Sequence, residues 1–306
     1  MNSISLDQWR LFLQIADRGS LTETAMARDV AQSAISRQLS VIESNCGGKL
    51  FDRYAKGVRL NEVGQRLYPQ VLEWVRRSED LVADARGVLR VPCGVVRVGI
   101  IESLASDLIV SLHHDVQKKY PGIQLRVVCG LSGRLTEALQ AGAVDVALFS
   151  ENGRERVTNG LGLKTMPHLL ASAKGDPLTK ENTIGFESLD GLPLVIPGRP
   201  YAFHDVLEHW AHRKGIRLNI VLECDSLHLQ KQLIVKGGVY AIMAASALRE
   251  DLRIGRVQAS KIVRPVLNRR LILKMRQGVT TSQATKVVGE ILKNLVSKLP
   301  DMSLGS

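Results

Sequence analysis

Thr22-Glu23-Thr24-Ala25-Met26-Ala27-Arg28-Asp29-Val30-Ala31-Gln32-Ser33-Ala34-Ile35-Ser36-Arg37-Gln38-Leu39-Ser40-Val41-Ile42-Glu43 is the stretch whose reading decides the fold of this chain. It encodes two short helices with a tight junction. Ile35, Leu39 and Ile42 are spaced by four and three, which sets them on one helical stripe. Leu21, Ala25, Ala27 and Val30 complete the apolar set of the pair. Gln32, Ser33, Ser36, Arg37 and Ser40 fall on the other side. A helix of this size fits the major groove of B-DNA. There Gln can pair with adenine and Arg with guanine through two bonds each, and Ser can serve base or phosphate. The N-terminal residues of a recognition helix make the base contacts, which selects Gln32, Ser33, Ser36 and Arg37. A solvated surface helix can carry the same residues, so the surroundings must decide.

Leu6, Trp9, Leu11, Phe12 and Ile15 supply an amphipathic helix to pack beneath the pair. After it, Gly47 to Leu60 holds two short apolar runs around a Lys/Gly turn, which predicts a small β-hairpin. Lys49, Arg53, Lys56 and Arg59 cluster there against one acid, Asp52. A basic hairpin beside a recognition helix is a phosphate-gripping wing. The first 90 or so residues resemble the winged helix-turn-helix of LysR-type transcriptional regulators. The residues that carry the likeness are Gly19-Ser20-Leu21, Ala25, Gln32, Ala34, Ser36-Arg37-Gln38, Glu43, Gly47, Leu50-Phe51, Arg53, Val58, Leu60 and Gly64. Gln38, inside the matched run, joins the DNA-binding candidates. The chain departs from the family pattern at Thr24-Ala25, where a small-residue pair is usual, at Ala31, where Ser or Thr is usual, at Ser33, where Pro is usual, and at Asn61, where Thr is common.

A chain of 306 residues suggests two or three units, with ample length for a core. The formal charge of +11 invites a nucleic-acid reading, but residues 1–60 carry eight Lys/Arg and six Asp/Glu, and residues 61–92 five of each. The surplus therefore lies beyond residue 92, and the wing cluster supports DNA binding better than net charge does. Nine basic residues against two acids between Arg249 and Arg276 read as a solvated face on edge strands. The alternatives are contact with wrapped DNA or steering of an anionic ligand. Aromatics are sparse, at 4%, which argues against a stacking platform for single-stranded nucleic acid. Cys46, Cys93, Cys129 and Cys224 have no metal-ligand spacing and read as reduced, mostly buried thiols of a cytoplasmic protein. Asp7 and Arg10 interrupt any apolar run at the start, so no export signal is expected, and no charge-free stretch reaches transmembrane length.

From Asn61 to about Gly87 the pattern is helical without interruption, with Asn61 as N-cap and Glu62 in the first turn. Val63, Leu67, Val71, Trp74, Leu81, Val82 and Ala85 recur at spacings near three and four. A helix this long and narrow-striped cannot be covered by one small domain, so it is expected to pair with a copy of itself. Pro69 in its interior should kink it or remove a hydrogen bond. The resemblance implies the same: this segment is the family's dimerising linker.

Val91-Pro92-Cys93-Gly94 breaks the helix. Beyond it, β-branched runs alternate with helical stretches, which predicts a parallel α/β sheet. Strands are expected over Val95–Ile101, Ile123–Cys129, Val144–Phe149, Leu169–Ala173, Leu192–Ile196, Asn219–Cys224, Val239–Met243 and within Ile262–Met275. Two lobes with crossings near residues 166 and 266 describe a hinged clamshell. Ligands of such folds bind at the carboxyl ends of strands, against helix N-termini. That rule selects Ser103 with Leu104, Leu131-Ser132-Gly133, Arg199, Tyr201 and Phe203, and Asp225-Ser226. Each can also be a helix cap, the favoured single role for Ser226. This half resembles the family's effector-binding domain, which shares the fold of periplasmic solute receptors. The closest likeness is to the branch of nitrogen-assimilation control regulators, through Gly130-Leu131-Ser132-Gly133-Arg134-Leu135, Asp145-Val146-Ala147-Leu148, Leu192 to Pro197 and Val221 to Leu227.

Enzyme readings fail on their motifs. Gly130-Leu131-Ser132-Gly133-Arg134 lacks the glycine two residues after the serine that a nucleophile elbow needs. Gly160-Leu161-Gly162 lacks the third glycine of a dinucleotide loop. His113-His114 is a poor spacing for one metal, and His204 and His209 read as surface residues. The expectation is a two-part DNA-binding regulator and not an enzyme, with no cofactor and no metal. Its units are residues 1–60 for DNA, 61–90 for dimerisation and 91–306 for an effector, with lobe I over 93–166 and 267–306 and lobe II over 167–266. Gln32, Ser33, Ser36, Arg37 and Gln38 read bases, while Arg53, Lys56 and Arg59 grip phosphates. Its expected partners are double-stranded promoter DNA, a small anionic effector and copies of itself as a dimer or tetramer. RNA polymerase is a candidate further partner, and a membrane is not. A receptor or enzyme-like α/β domain without a DNA role is the alternative.

Overall fold

The computed structural model describes residues 4–54, 57–87, 92–152, 160–198, 202–278 and 281–300. Contacts divide the chain into a unit ending at Leu89 and a second beginning at Arg90.

The first unit opens with helix α1 (Leu6–Arg18). Ser5 and Gln8 cap it reciprocally, and Gly19 ends it in the left-handed conformation. Helix α2 (Leu21–Arg28) starts at Ser20, whose hydroxyl accepts from the Glu23 N–H. Helix α3 (Gln32–Asn45) follows a three-residue junction, and strands β1 (Phe51–Tyr54) and β2 (Gly57–Leu60) pair antiparallel behind it. Leu11, Phe12, Ile15, Ile35, Leu39, Ile42, Leu50 and Val58 form one core. Each such side chain contributes roughly 1.5–3 kcal/mol by leaving water. Thr24 is buried and donates to the Ser20 carbonyl at 2.7 Å. Ala27 and Val30 of the apolar set are exposed, because the stripe of so short a helix ends at Ala25.

Gly57 sits at φ +144°, where a Cβ would collide with the Gly19 carbonyl. That close approach lets the Val58 N–H donate to the same carbonyl at 2.9 Å, fastening the hairpin to the end of α1. Helix α4 (Glu62–Gly87) begins at Asn61, whose Oδ1 accepts from the Gly64 N–H at 2.9 Å, and it runs through Pro69 without ending. Proline supplies no donor for the Gln65 carbonyl, so one helix bond is missing there. Val71 and Val75 of α4 close the core, while Val63, Trp74, Leu81 and Val82 stay exposed.

The second unit runs β3 (Gly94–Ile101), α5 (Glu102–Lys119), β4 (Ile123–Gly130), α6 (Ser132–Gln140), β5 (Val146–Asn152) and β6 (Leu161–Ala173). It continues with β7 (Thr183–Gly185), β8 (Pro193–Ile196), α7 (Ala202–Lys214), β9 (Asn219–Glu223), α8 (Leu227–Lys236) and β10 (Tyr240–Ala244). Helix α9 (Ala245–Arg253), β11 (Val257–Val263), β12 (Asn268–Met275) and α10 (Gln283–Ser297) complete it. The strand order is β4-β3-β5-β12-β6-β10-β8-β9, with β11 joining β6 to β7.

The sheet is mixed rather than parallel. Strand β3 is parallel to β4 and β5, and β8 is parallel to β9 and β10. Strand β12, however, is antiparallel to β5 and β6, and β6 is antiparallel to β10 and β11. No helix separates β5 from β6 in the described sequence, nor β11 from β12, and parallel neighbours need a crossover. Strand β6 pairs with β12 up to Pro167 and with β10 from His168 onward, so it belongs to two sheets in succession. On one side Val96, Val98, Ile100, Leu148, Leu271 and Leu292 pack together. On the other, Leu170, Phe186, Leu194, Phe203, Leu207 and Ile262 do.

Three local expectations change. None of the four cysteines is in a disulfide, but Cys46 and Cys129 are exposed and Cys93 and Cys224 only half-buried, because each lies at the end or edge of an element. The basic run is not a solvated edge: β12 is interior to the sheet, Arg269 is buried, and Arg249, Arg256 and Lys274 pair with Asp107, Asp251 and Glu151. His204 is buried, with Nδ1 3.4 Å from Glu208 and Nε2 3.5 Å from Glu223.

Candidate nucleic-acid interface and effector cleft

Helix α3 presents Gln32, Ser33, Arg37 and Gln38 exposed and Ser36 half-buried, on the face opposite Ile35, Leu39 and Ile42. Its N-cap is Ala31, extended at φ −67° and ψ 142°, with no side-chain bond to the first turn. The first backbone N–H groups are therefore left for an anion such as a phosphate. Arg53 of β1 extends toward α3, with Nη2 3.5 Å from the Ser36 hydroxyl. Arg59 lies opposite Asp52 in the ladder, at 4.0 Å. Lys56 lies outside the described residues.

Two residues of this unit escaped the site reading. Glu43, at 5% exposure, accepts from the Leu50 N–H at 3.0 Å and lies 2.7 Å from Lys49 Nζ. It thus fixes where the hairpin leaves α3, and a carboxylate on the apolar side of the stripe was the available signal. Tyr54, at the hairpin end, is half exposed.

In the second unit a cavity of about 60 Å³ opens where the first turns of five helices meet. Glu102 and Ser103 come from α5, Ser132 from α6, Phe203 from α7, Leu227 from α8 and Ala247 from α9. The N-caps of α5, α6 and α9 are Ile101, Leu131 and Ala244, none of which makes a side-chain cap bond. Helix N-termini carry partial positive charge and unpaired N–H groups, so their convergence favours an anion.

The wall is completed from the crossing strands. Arg269 of β12 is 3% exposed; its Nη1 donates to Ser103 Oγ at 2.7 Å and its Nη2 to Ser246 Oγ at 2.8 Å. Ser246 in turn donates to the Ser103 carbonyl at 2.8 Å. Ser103 Oγ, accepting from the guanidinium, keeps its own proton to donate. His168 of β6 is 3% exposed, and its ring stacks on Phe203 with centroids 4.1 Å apart. Burial first, and then the nearby Arg269 charge, push its pKa down to about 3, against a smaller opposing effect of the Leu267 carbonyl.

The residues chosen from sequence separate into groups here. Ser103, Leu131, Ser132, Phe203 and Asp225 line the cavity. The Ser132 hydroxyl is already used, donating to the Ser150 carbonyl at 3.0 Å and accepting from the Ser150 N–H at 3.2 Å. Leu104 faces the core instead, fully buried under the sheet, because it is one helical step past the cavity. Gly133 is exposed and outside the wall, and Ser226 caps α8 by accepting from the Leu229 N–H at 3.3 Å. Arg199 and Tyr201 lie outside the described residues. His168, Arg269, Ser246 and Gln230 were missed. The only sequence signal for the first two was their nearness to the expected crossings.

Residues 6–65 match the family described as "Bacterial regulatory helix-turn-helix protein, lysR family", and residues 90–297 match "LysR substrate binding domain". A "Probable nitrogen assimilation transcriptional activator" of Synechocystis sp. is 32% identical over 225 residues, covering 71% of each chain. A "Probable hydrogen peroxide-inducible genes activator" of Mycobacterium avium is 23% identical, covering 94% of this chain and 93% of the relative. Among solved structures, a full-length OxyR variant from Pseudomonas aeruginosa superposes with TM-score 0.69 at 18% identity, covering 97% of this chain and 98% of that one. Full-length CbnR complexed with its target DNA also gives 0.69 at 18% identity, covering 95% and 98%. Among the described residues no helix is long and apolar enough to cross a membrane. With two family matches that together span most of its length, the chain belongs to the LysR family of transcriptional regulators, joining a DNA-binding helix-turn-helix to an effector-binding domain.

Proposed function

We propose that the regulator reads operator DNA with Gln32, Ser33, Ser36, Arg37 and Gln38, and holds phosphates with Arg53, Lys56 and Arg59. Residues 1–60 bind DNA, 61–90 pair two copies, and 91–306 hold the effector between lobe I (93–166 and 267–306) and lobe II (167–266). The exposed Val63, Trp74 and Leu81 on α4 supply an apolar face for a second copy, and further pairing of effector domains gives a tetramer. Two recognition helices then address two half-sites of one operator. A small anionic effector in the cavity shifts the arrangement of DNA-binding pairs through its differential affinity, typically ~1–3 kcal/mol. RNA polymerase is the downstream partner of such a regulator in the cytoplasm, and the domain carries no catalysis of its own.

The observation that carries the effector reading is the convergence of five helix first turns on one cavity beside a buried arginine. For DNA, it is the exposed polar face of α3 with Arg53 reaching Ser36. Selection of genomic fragments by the purified protein, with footprinting of the winners, tests the whole. An interrupted inverted repeat is the expected result. Arg37→Ala should then relax base choice at one position and cost ~1–3 kcal/mol. Arg53→Ala should weaken all sequences alike and lower the salt slope by about one. Uniform weakening by the first, or altered sequence preference by the second, would reverse the assignments.

A further inference from the structure

Helix α7 gathers three groups that can ligate a metal on its first two turns: His204, Asp205 and Glu208. His204 and Glu208 are four residues apart, and Asp205 and Glu208 three, so the three side chains share one patch of helix surface. One ligand atom of each lies within 4.8 Å of the other two. From β9, Glu223 brings a further carboxylate to the imidazole, 3.5 Å from Nε2. Histidine spacing concealed the group, since its other members are carboxylates.

The imidazole separates this group from an ordinary acidic surface. His204 is 5% exposed, and its Nδ1 has no hydrogen-bond partner among the described residues. Glu208 Oε1 lies 3.4 Å from that nitrogen. A lone pair and a carboxylate oxygen this close repel unless a positive centre lies between them. A proton there would draw them together to about 2.7–2.9 Å. Four ligands around a zinc ion, with bonds of about 2.1 Å, stand about 3.4 Å from one another. The spacing at Nδ1 is therefore that of two ligands of one ion. Such an ion sits between its ligands, so the nitrogen needs no open surface of its own. Asp205 and Glu208 are both exposed and leave the path from solvent. The start of a helix disfavours a cation. Here the carboxylates of Asp205, Glu208 and Glu223 surround the imidazole and outweigh that partial charge.

We propose that His204 Nδ1, Asp205 and Glu208 bind one divalent transition-metal ion of the zinc class. Glu223 holds the N–H on Nε2, so that Nδ1 turns its lone pair to the ion. The imidazole selects zinc, nickel or copper over magnesium and calcium, which take oxygen ligands. Water takes the fourth position. The ion ties together the first two turns of α7, the turns that also carry Phe203 into the cavity wall.

Titration calorimetry of the chelator-treated full chain with zinc chloride tests it. One zinc per chain should bind, and magnesium chloride should not compete. Asp205→Asn and Glu208→Gln, both at exposed positions, should each weaken zinc roughly tenfold or more, and Glu223→Ala by about 10–100-fold. His209→Ala, on the same helix outside the cluster, should change nothing. His204→Ala should abolish binding, and the variants at exposed positions decide the matter even if that one does not fold. X-ray absorption of the zinc-loaded chain should show nitrogen and oxygen at about 2.0–2.2 Å, whereas sulfur at about 2.3 Å would move the ion to a cysteine and overturn the proposal. No zinc binding also overturns it and leaves the cluster an ion pair. So do unchanged affinity in Asp205→Asn and Glu208→Gln, an equal loss in His209→Ala, and displacement of zinc by magnesium.

Discussion

Lowering the pH from 7 to 5 should cost this protein stability through His168. The imidazole is buried beside Arg269, and its pKa falls to about 3 in the folded chain. In the unfolded chain it returns to about 6.5. Between those values the unfolded chain binds a proton that the folded chain refuses, so stability rises with pH across the interval. The contribution is complete above the unfolded value and is lost progressively as the pH falls toward 3. At pH 5 roughly 1.5 units below the unfolded pKa amount to about 2 kcal/mol, while at pH 7 the effect is close to zero. For a unit of this size that corresponds to a melting point about 4–8 °C lower. Calorimetry of the full chain at the two pH values, beside His168→Gln, isolates the effect, because the variant keeps every other titrating group. The unmodified protein should lose about 2 kcal/mol more than the variant over the interval. Equal pH slopes in the two proteins would refute the assignment of a neutral, charge-excluding imidazole at this position.

Glu43→Ala should destabilise the first unit by ~1–3 kcal/mol, because the buried Leu50 N–H loses its acceptor. Glu43→Gln, which keeps that acceptor, should cost far less, since the Lys49 partner is exposed and its ion pair is weak. Urea unfolding of both variants checks the difference, and equal losses would shift the role to the ion pair. Trp74→Asp removes an apolar side chain that is 50% exposed on α4. It should shift the protein toward monomer in sedimentation without lowering helix content, and an unchanged oligomer would move the self-association face elsewhere.

The helix-turn-helix was legible because its signals are local. The spacing of Ile35, Leu39 and Ile42, the cap at Asn61, and the basic hairpin each lie within a few residues of the feature they specify. Even there, Thr24 and Glu43 were hidden, since a buried polar side chain is explained only by the partner it meets. Elements of the second half were also legible from runs and breaks, apart from the first part of β6, the short β7, α9 and most of β11.

The sequence by itself therefore determined the order of elements, the two-part organisation and the exposed face of α3, because helical and strand periodicity is written in neighbours. Only the tertiary structure decided the sheet directions and the make-up of the cleft. Ser103, His168, Ser246 and Arg269 come from four separate elements, and they meet because β6 runs beside β12 before it passes into the next sheet. No local pattern encodes that meeting. The charge state of His168 follows from it, since an imidazole is driven neutral only when burial and a distant arginine are brought to the same place.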